Sequence, residues 1–179
     1  MRGNWVGNCT NMDQSLTLFE SLMAAGASYG LRLFGTYALN SLRMEKGYKA
    51  WGSDLTTEVS LVEAGMMQFA KNNNNFIGSD VLKAKYNEGV ENHLVYCEVD
   101  VSDADPMGNE PIFYGGEVIG ITTSGAYGHY VSKSLAFAYV RAGYETAGTQ
   151  FDIKILGERC KATVLSEPVW DPKNMRLSS

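Results

Sequence analysis

Apolar and polar residues follow two different periods along this chain, and the change falls between residues 88 and 93. Upstream the spacing is helical. Leu16, Phe19 and Met23 form one stripe with Leu18 and Leu22 beside it, which predicts a helix over about 13–25. Asp13 is placed to cap its first turn, and Gly26 and Gly30 to end it. A second helix is predicted over about 35–46, where Tyr37, Leu39, Leu42 and Met44 alternate with Asn40, Arg43 and Lys46 before Gly47 stops the run. Gly52 to Gly65 shows no clear period, and the polar run Lys71-Asn-Asn-Asn-Asn75 reads as an exposed turn. Ser79 or Asp80 is expected to cap a short helix ending near residue 87.

Downstream the period is two. Val95, Cys97, Val99 and Val101 alternate with Tyr96, Glu98 and Asp100, the pattern of a half-buried strand. Ile112 to Tyr114 and Val118 to Thr122 flank Gly115-Gly116, a pair suited to a tight hairpin. Leu135 to Val140, Phe151 to Ile155 and Cys160 to Leu165 supply further strands, the last two joined at Gly157-Glu158. Short strands at close spacing with glycine turns predict a small antiparallel barrel. The fold class is therefore α+β, with a first unit over 1–90 and the barrel over 91–179.

Composition narrows the function classes. At 179 residues the chain is long enough to bury roughly two-thirds of its unfolded surface without staples. No apolar run reaches the length of a membrane helix, so no membrane partner is expected. The net charge is -5, and the 15 Lys and Arg are scattered, which removes electrostatic support for nucleic-acid binding. Cys9, Cys97 and Cys160 lie far apart and form no Cys-x-x-Cys pair. They read as buried small hydrophobes in a reducing compartment, not as metal ligands.

Candidate chemistry is sparse. Gly115-Gly116-Glu117-Val118-Ile119-Gly120 lies between two strands, whereas a dinucleotide-binding loop needs a strand followed by a helix. Thr122-Thr123-Ser124-Gly125 with His129 lacks a nucleophile elbow and an orienting acid, and reads as a structural turn. His93 and His129 read as surface or turn residues. The segment 37–52 is richer, because Arg43, Glu45, Tyr48 and Trp51 gather a planar donor, a carboxylate and two aromatic rings. Such a set suits a flat heteroaromatic ligand, and equally a packing cluster between domains with one salt bridge.

Several ordered motifs carry a resemblance. Phe34-Gly-Thr-Tyr37-Ala-Leu-Asn-Ser-Leu-Arg43-Met-Glu45-Lys-Gly47, Ala50-Trp51-Gly52, Val62-Glu63-Ala-Gly65 and Phe76-Ile77-Gly78 come first. Asp105-Pro-Met-Gly108-Asn109-Glu110, Thr122-Thr-Ser124-Gly125-Ala-Tyr127 and Ser132-Lys133-Ser-Leu-Ala-Phe-Ala-Tyr139 follow in the barrel half. Together they resemble the folate-binding C-terminal region of the dimethylglycine and sarcosine dehydrogenases, which shares its fold with the glycine-cleavage aminomethyltransferases. The resemblance spans about 17–170 and implies a partial aminomethyltransferase-like α/β domain before the barrel.

It also implies a function. In that family a flavin domain oxidises an N-methyl amine to an iminium, and the folate domain captures the one-carbon unit as methylenetetrahydrofolate, a task of positioning and water exclusion. The implied cofactor is tetrahydrofolate, with FAD confined to a missing domain or a partner chain. Tyr37 matches a tyrosine placed at the folate, Arg43 lies in the family's Ser-Leu-Arg element, and Trp51, Glu63 and Tyr127 complete the implied cofactor-binding set. No catalytic residue is assigned, because the family's catalytic aspartate belongs to an upstream half. Trp5-Val6-Gly7-Asn8 also departs from the family's aromatic-Gly-Glu pattern at Asn8.

The chain is thus expected to be a C-terminal fragment or a separate subunit, catalytically incomplete alone. Possible partners are a flavoprotein subunit and further copies of itself. The alternative is a non-catalytic, self-associating binding module. The expected compartment is the cytoplasm, with the mitochondrial matrix as the alternative.

Overall fold

A computed structural model describes residues 11–70 and 76–178. The polar run at 71–75, the departure at 5–8 and Cys9 lie outside the described residues. The helices are α1 (Ser15–Gly26), α2 (Thr36–Glu45), α3 (Ser79–Glu88) and a short α4 (Met175–Ser178). The strands are β1 (Asn92–Val99), β2 (Pro111–Tyr114), β3 (Glu117–Gly128), β4 (Lys133–Arg141), β5 (Gln150–Ile155) and β6 (Glu158–Val164).

All six strands close into one antiparallel barrel in the order β1-β4-β3-β2-β5-β6. Closure removes the unpaired edges that an open sheet of these strands would present. Inward residues of each strand meet at the axis: Val95, Cys97 and Val99 from β1, Ile112 and Ile119 from β2 and β3, Ala136, Ala138 and Val140 from β4, and Phe151, Ile153 and Ala162 from β5 and β6. The alternation read from the sequence is the inward-outward alternation of these strands.

The barrel's outer surface carries a second, smaller core. Met44 of α2 packs on Leu135 and Phe137 of β4, with Tyr96 and Leu165 alongside. Burial holds the Tyr96 phenol above its ordinary pKa, and its hydroxyl donates to the Met44 carbonyl at 2.7 Å. Thus α2 is fixed to the barrel by both packing and polar contacts.

Four local expectations are corrected. Asp13 does not cap α1: it sits in a short 3-10 turn over Met12–Gln14 whose own cap is Asn11. Gly78, in the left-handed region at φ 89°, stands at the N-cap of α3, and no side chain caps that helix. Cys160 is only half-buried, whereas Cys97 is fully buried. Thr122 to Gly125 is no turn, because β3 runs through it with a bulge between Thr122 and Ser124. The bulge permits a close approach: a Cβ at Gly125 would lie 2.3 Å from the Pro106 carbonyl oxygen, so only glycine fits there.

Candidate functional site

The site is built on the end of α2 and the loop after it. At that end Gly47, at φ 66°, turns the chain out of the helix. Residues 48–55 then fold back over the barrel, with Asp54 and Leu55 amides donating to the Ala50 carbonyl.

Asp54 is completely buried and is the hub of this region. Its Oδ2 accepts from Arg43 Nη1 at 2.8 Å and from the Ala50 amide at 2.8 Å. Its Oδ1 accepts from Thr123 Oγ1 and Ser124 Oγ, both at 2.5 Å. Its carbonyl accepts from Tyr139 Oη at 3.0 Å. Every polar atom of the carboxylate is therefore satisfied, which a buried charge requires. Helix, loop, β3 and β4 meet at this one residue. Burial, and then the nearby negative charges of Glu63 and Asp54, push the Tyr139 phenol up to about 12.

Arg43 is held as firmly. Its Nε donates to Asn40 Oδ1 at 2.8 Å, and Nη1 donates both to Asp54 and to the Tyr48 carbonyl at 3.1 Å. Asn40 is anchored in turn, donating to the Gly125 carbonyl at 3.0 Å. These contacts consume Nε and Nη1, so among the described residues the two protons of Nη2 have no partner. The guanidinium is fixed on one side and available on the other.

Aromatic residues precede and follow this donor along the chain. Trp51 is 73% exposed and Tyr37, at the first turn of α2, is 89% exposed. Tyr48 is half-exposed. A fixed, partly unused guanidinium on a segment that also carries large exposed rings suits a flat, polar ligand. Tyr127 lies on β3 with its ring edge-on to His129 at 5.2 Å, and its carbonyl accepts from Ser41 Oγ of α2.

Glu63 is placed elsewhere. It accepts from the Ser60 amide at 2.6 Å and from Lys85 Nζ at 3.4 Å, and lines a separate cleft beside β1. Burial raises its pKa, but the Ser60 contacts and the Lys85 charge outweigh that and hold it below the usual carboxylate value. Glu45 is buried, and its carboxylate accepts from the Tyr130 amide, so it serves the β3–β4 turn. Lys46 is also buried, and its Nζ bonds the Asp171 carboxylate at 3.0 Å and the Asp171 carbonyl, strapping the C-terminal segment to α2.

Asp54 and the hydroxyls of Thr123 and Ser124 are the residues that sequence reasoning missed. The signal present was the Thr-Thr-Ser motif, whose two side-chain donors face a carboxylate about 70 positions upstream.

Two family models match the chain: the GCVT N-terminal domain over residues 8–74, and the glycine cleavage T-protein C-terminal barrel domain over residues 92–171. Mitochondrial dimethylglycine dehydrogenase of Mus musculus is 44% identical over 169 residues, covering 92% of this chain and 19% of that protein. An aminomethyltransferase of Geobacillus sp. is 30% identical over 160 residues, covering 88% of this chain and 44% of that protein. The chain therefore spans about a fifth of the first relative and under half of the second. Glycine cleavage system aminomethyltransferase T from Bartonella henselae has a similar fold, with a TM-score of 0.77 at 21% identity over 89% of this chain and 45% of that one.

Proposed function

The chain belongs to the glycine cleavage T-protein family, and from that premise we propose that it forms the C-terminal part of a tetrahydrofolate site in a dimethylglycine dehydrogenase-like enzyme. The observation that carries this reading is Arg43, locked by Asp54 and Asn40 yet with Nη2 unshared, on a segment whose Trp51 and Tyr37 rings are exposed. Bound tetrahydrofolate would supply the nucleophilic nitrogen that accepts a one-carbon unit.

The chain's own residues bind and orient. Arg43 Nη2 donates to a carboxylate or carbonyl oxygen of the ligand. Tyr37 and Trp51 stack on its flat portions and keep water from them. Tyr127 stands at the edge of the proposed set, and Glu63 lies apart from it in the cleft beside β1. The flavin chemistry of the complete enzyme belongs to another domain or a partner flavoprotein. The mitochondrial designation of the mouse relative supports a mitochondrial compartment over the cytoplasm. No helix among the described residues is long and apolar enough to cross a membrane.

Equilibrium dialysis against tetrahydrofolate tests the assignment. Tyr37→Ala is expected to weaken binding by about 1–3 kcal/mol, on the scale of stacking between aromatic side chains and heteroaromatic bases. Unchanged affinity in that variant would remove Tyr37 from the site. Arg43→Lys is expected to weaken binding as well, because an ammonium cannot hold Asn40, Tyr48 and Asp54 while presenting a further donor.

A second reading, a non-catalytic module that self-associates, draws on one observation. Helix α1 buries none of its residues, and Leu16, Phe19 and Leu22 are exposed. Sedimentation velocity separates the two: concentration-dependent dimers without folate binding favour the module.

A further inference from the structure

Apart from the proposed folate surface, a cleft of about 330 Å3 opens between the loop after α2 and the outer face of β1. Leu94, Phe137 and Pro168 give its lining an apolar part. Its walls carry charges of both signs. Lys49 is half-buried, and among the described residues its ammonium makes no hydrogen bond. Burial pulls its pKa down, with only the charge of Asp54 acting against this. Glu145, also in the lining, accepts the Gly143 amide at 2.6 Å and has His93 nearby, while Glu63 is already paired with Lys85.

These walls discriminate between ligand classes. A simple anion would satisfy Lys49 but meet the carboxylates of Glu63, Glu145 and Glu167. A simple cation would satisfy Glu145 but leave the Lys49 ammonium half-desolvated and facing a like charge. A molecule with one carboxylate and one ammonium satisfies both signs, and the apolar part of the lining selects an apolar side chain. The volume lies at the lower end of the range for small-molecule pockets, enough for a single amino acid. We propose that this cleft binds a free amino acid with an apolar side chain, its carboxylate on Lys49 and its ammonium on Glu145. The proposal does not use Arg43, Trp51 or Tyr37, none of which lines the cleft, and Glu63 is the one residue of the implied folate set that does.

The test is a set of titrations of the full 15N-labelled chain followed by amide chemical shifts. The probes are L-leucine, isocaproate, which is leucine without the ammonium, and isoamylamine, which is leucine without the carboxylate. Leucine is expected to give saturable, millimolar or tighter shifts at Gly65, Leu94 and Glu145, and each truncated probe to bind at least about tenfold more weakly. Lys49→Met is expected to weaken leucine about tenfold while leaving isoamylamine unchanged. Glu145→Gln is expected to do the reverse, sparing isocaproate. Absence of saturable shifts, equal binding of the three probes, or unchanged leucine affinity in folded Lys49→Met would overturn the proposal. Should that variant fail to fold, the three-probe comparison on the unsubstituted chain decides.

Discussion

The barrel and the helical segment before it solve the problem of stability in opposite ways. The barrel closes on itself, and its inward side chains from all six strands make one core. Helix α1 has no such support: none of its residues is buried, and among the described residues its main contacts with other elements are with the turns on either side of it. A 12-residue helix is marginal in water on its own, because so few hydrogen bonds scarcely offset nucleation. Between these extremes lies α2, short but fixed by Met44 in the second core and by the buried ion pairs of Arg43 with Asp54 and Lys46 with Asp171. In this chain polar contacts join the helical region to a barrel that apolar burial already stabilises. The residues proposed to face the ligand therefore sit at the joint, where a rigid scaffold ends and exposed surface begins.

The largest expected effect comes from breaking the joint. Asp54→Ala leaves Arg43 without its carboxylate partner and the hydroxyls of half-buried Thr123 and buried Ser124 without their acceptor, and is expected to cost about 3–5 kcal/mol in urea unfolding. A loss under about 1 kcal/mol would mean that the carboxylate is not the joint. Inside the barrel, Ile153→Ala removes a fully buried side chain and is expected to cost about 2–5 kcal/mol without disturbing α2.

The joint and its neighbours also set the pH limits. Glu63 and Glu110 are both held below the usual carboxylate value. In Glu110 burial acts upward, but the Thr122 hydroxyl and the Met107 and Gly108 amides outweigh it. A depressed folded pKa contributes stability above the unfolded value and loses it as protons are taken up. Melting temperature is thus expected to fall below about pH 4. Tyr139 acts at the other end: its raised value means that stability declines as the pH climbs from the ordinary tyrosine range toward about 12. A flat profile at both ends would show that these groups are solvated alike in the folded and unfolded chain. The smallest effect is expected in α1, where Leu22→Ser should stay within about 0.5 kcal/mol because the side chain is exposed. Fast amide exchange there, against slow exchange in β4, would sharpen the contrast.

Legibility followed the same division. The alternation of Val95, Cys97 and Val99 revealed β1 because a barrel strand shows its inside and outside at every second residue. The antiparallel barrel was readable for that reason, and the helices at 15–26 and 36–45 for the corresponding one at a period of 3.6. Helix caps were less legible. Any of several polar residues can cap a helix, and at α3 a left-handed glycine stood where Ser79 or Asp80 was expected. Asp54 left no local trace, since the two hydroxyls that share its Oδ1 come from β3, far along the chain. Thr122-Thr123-Ser124 looked like turn chemistry because hydroxyl-rich runs with glycine usually are turns. Its role appears only when the bulge sets Thr123 and Ser124 against the same carboxylate. Tyr37 was proposed through resemblance alone and Trp51 also through its clustering with Arg43, Glu45 and Tyr48, since an exposed ring has no periodicity to announce it.

The most direct measurement is an anaerobic calorimetric titration of the full chain with tetrahydrofolate under reducing conditions. The account predicts saturable binding in the micromolar range, weakened in Arg43→Lys. No heat of binding at millimolar ligand would contradict it, leaving Arg43 and its aromatic neighbours as a packing cluster.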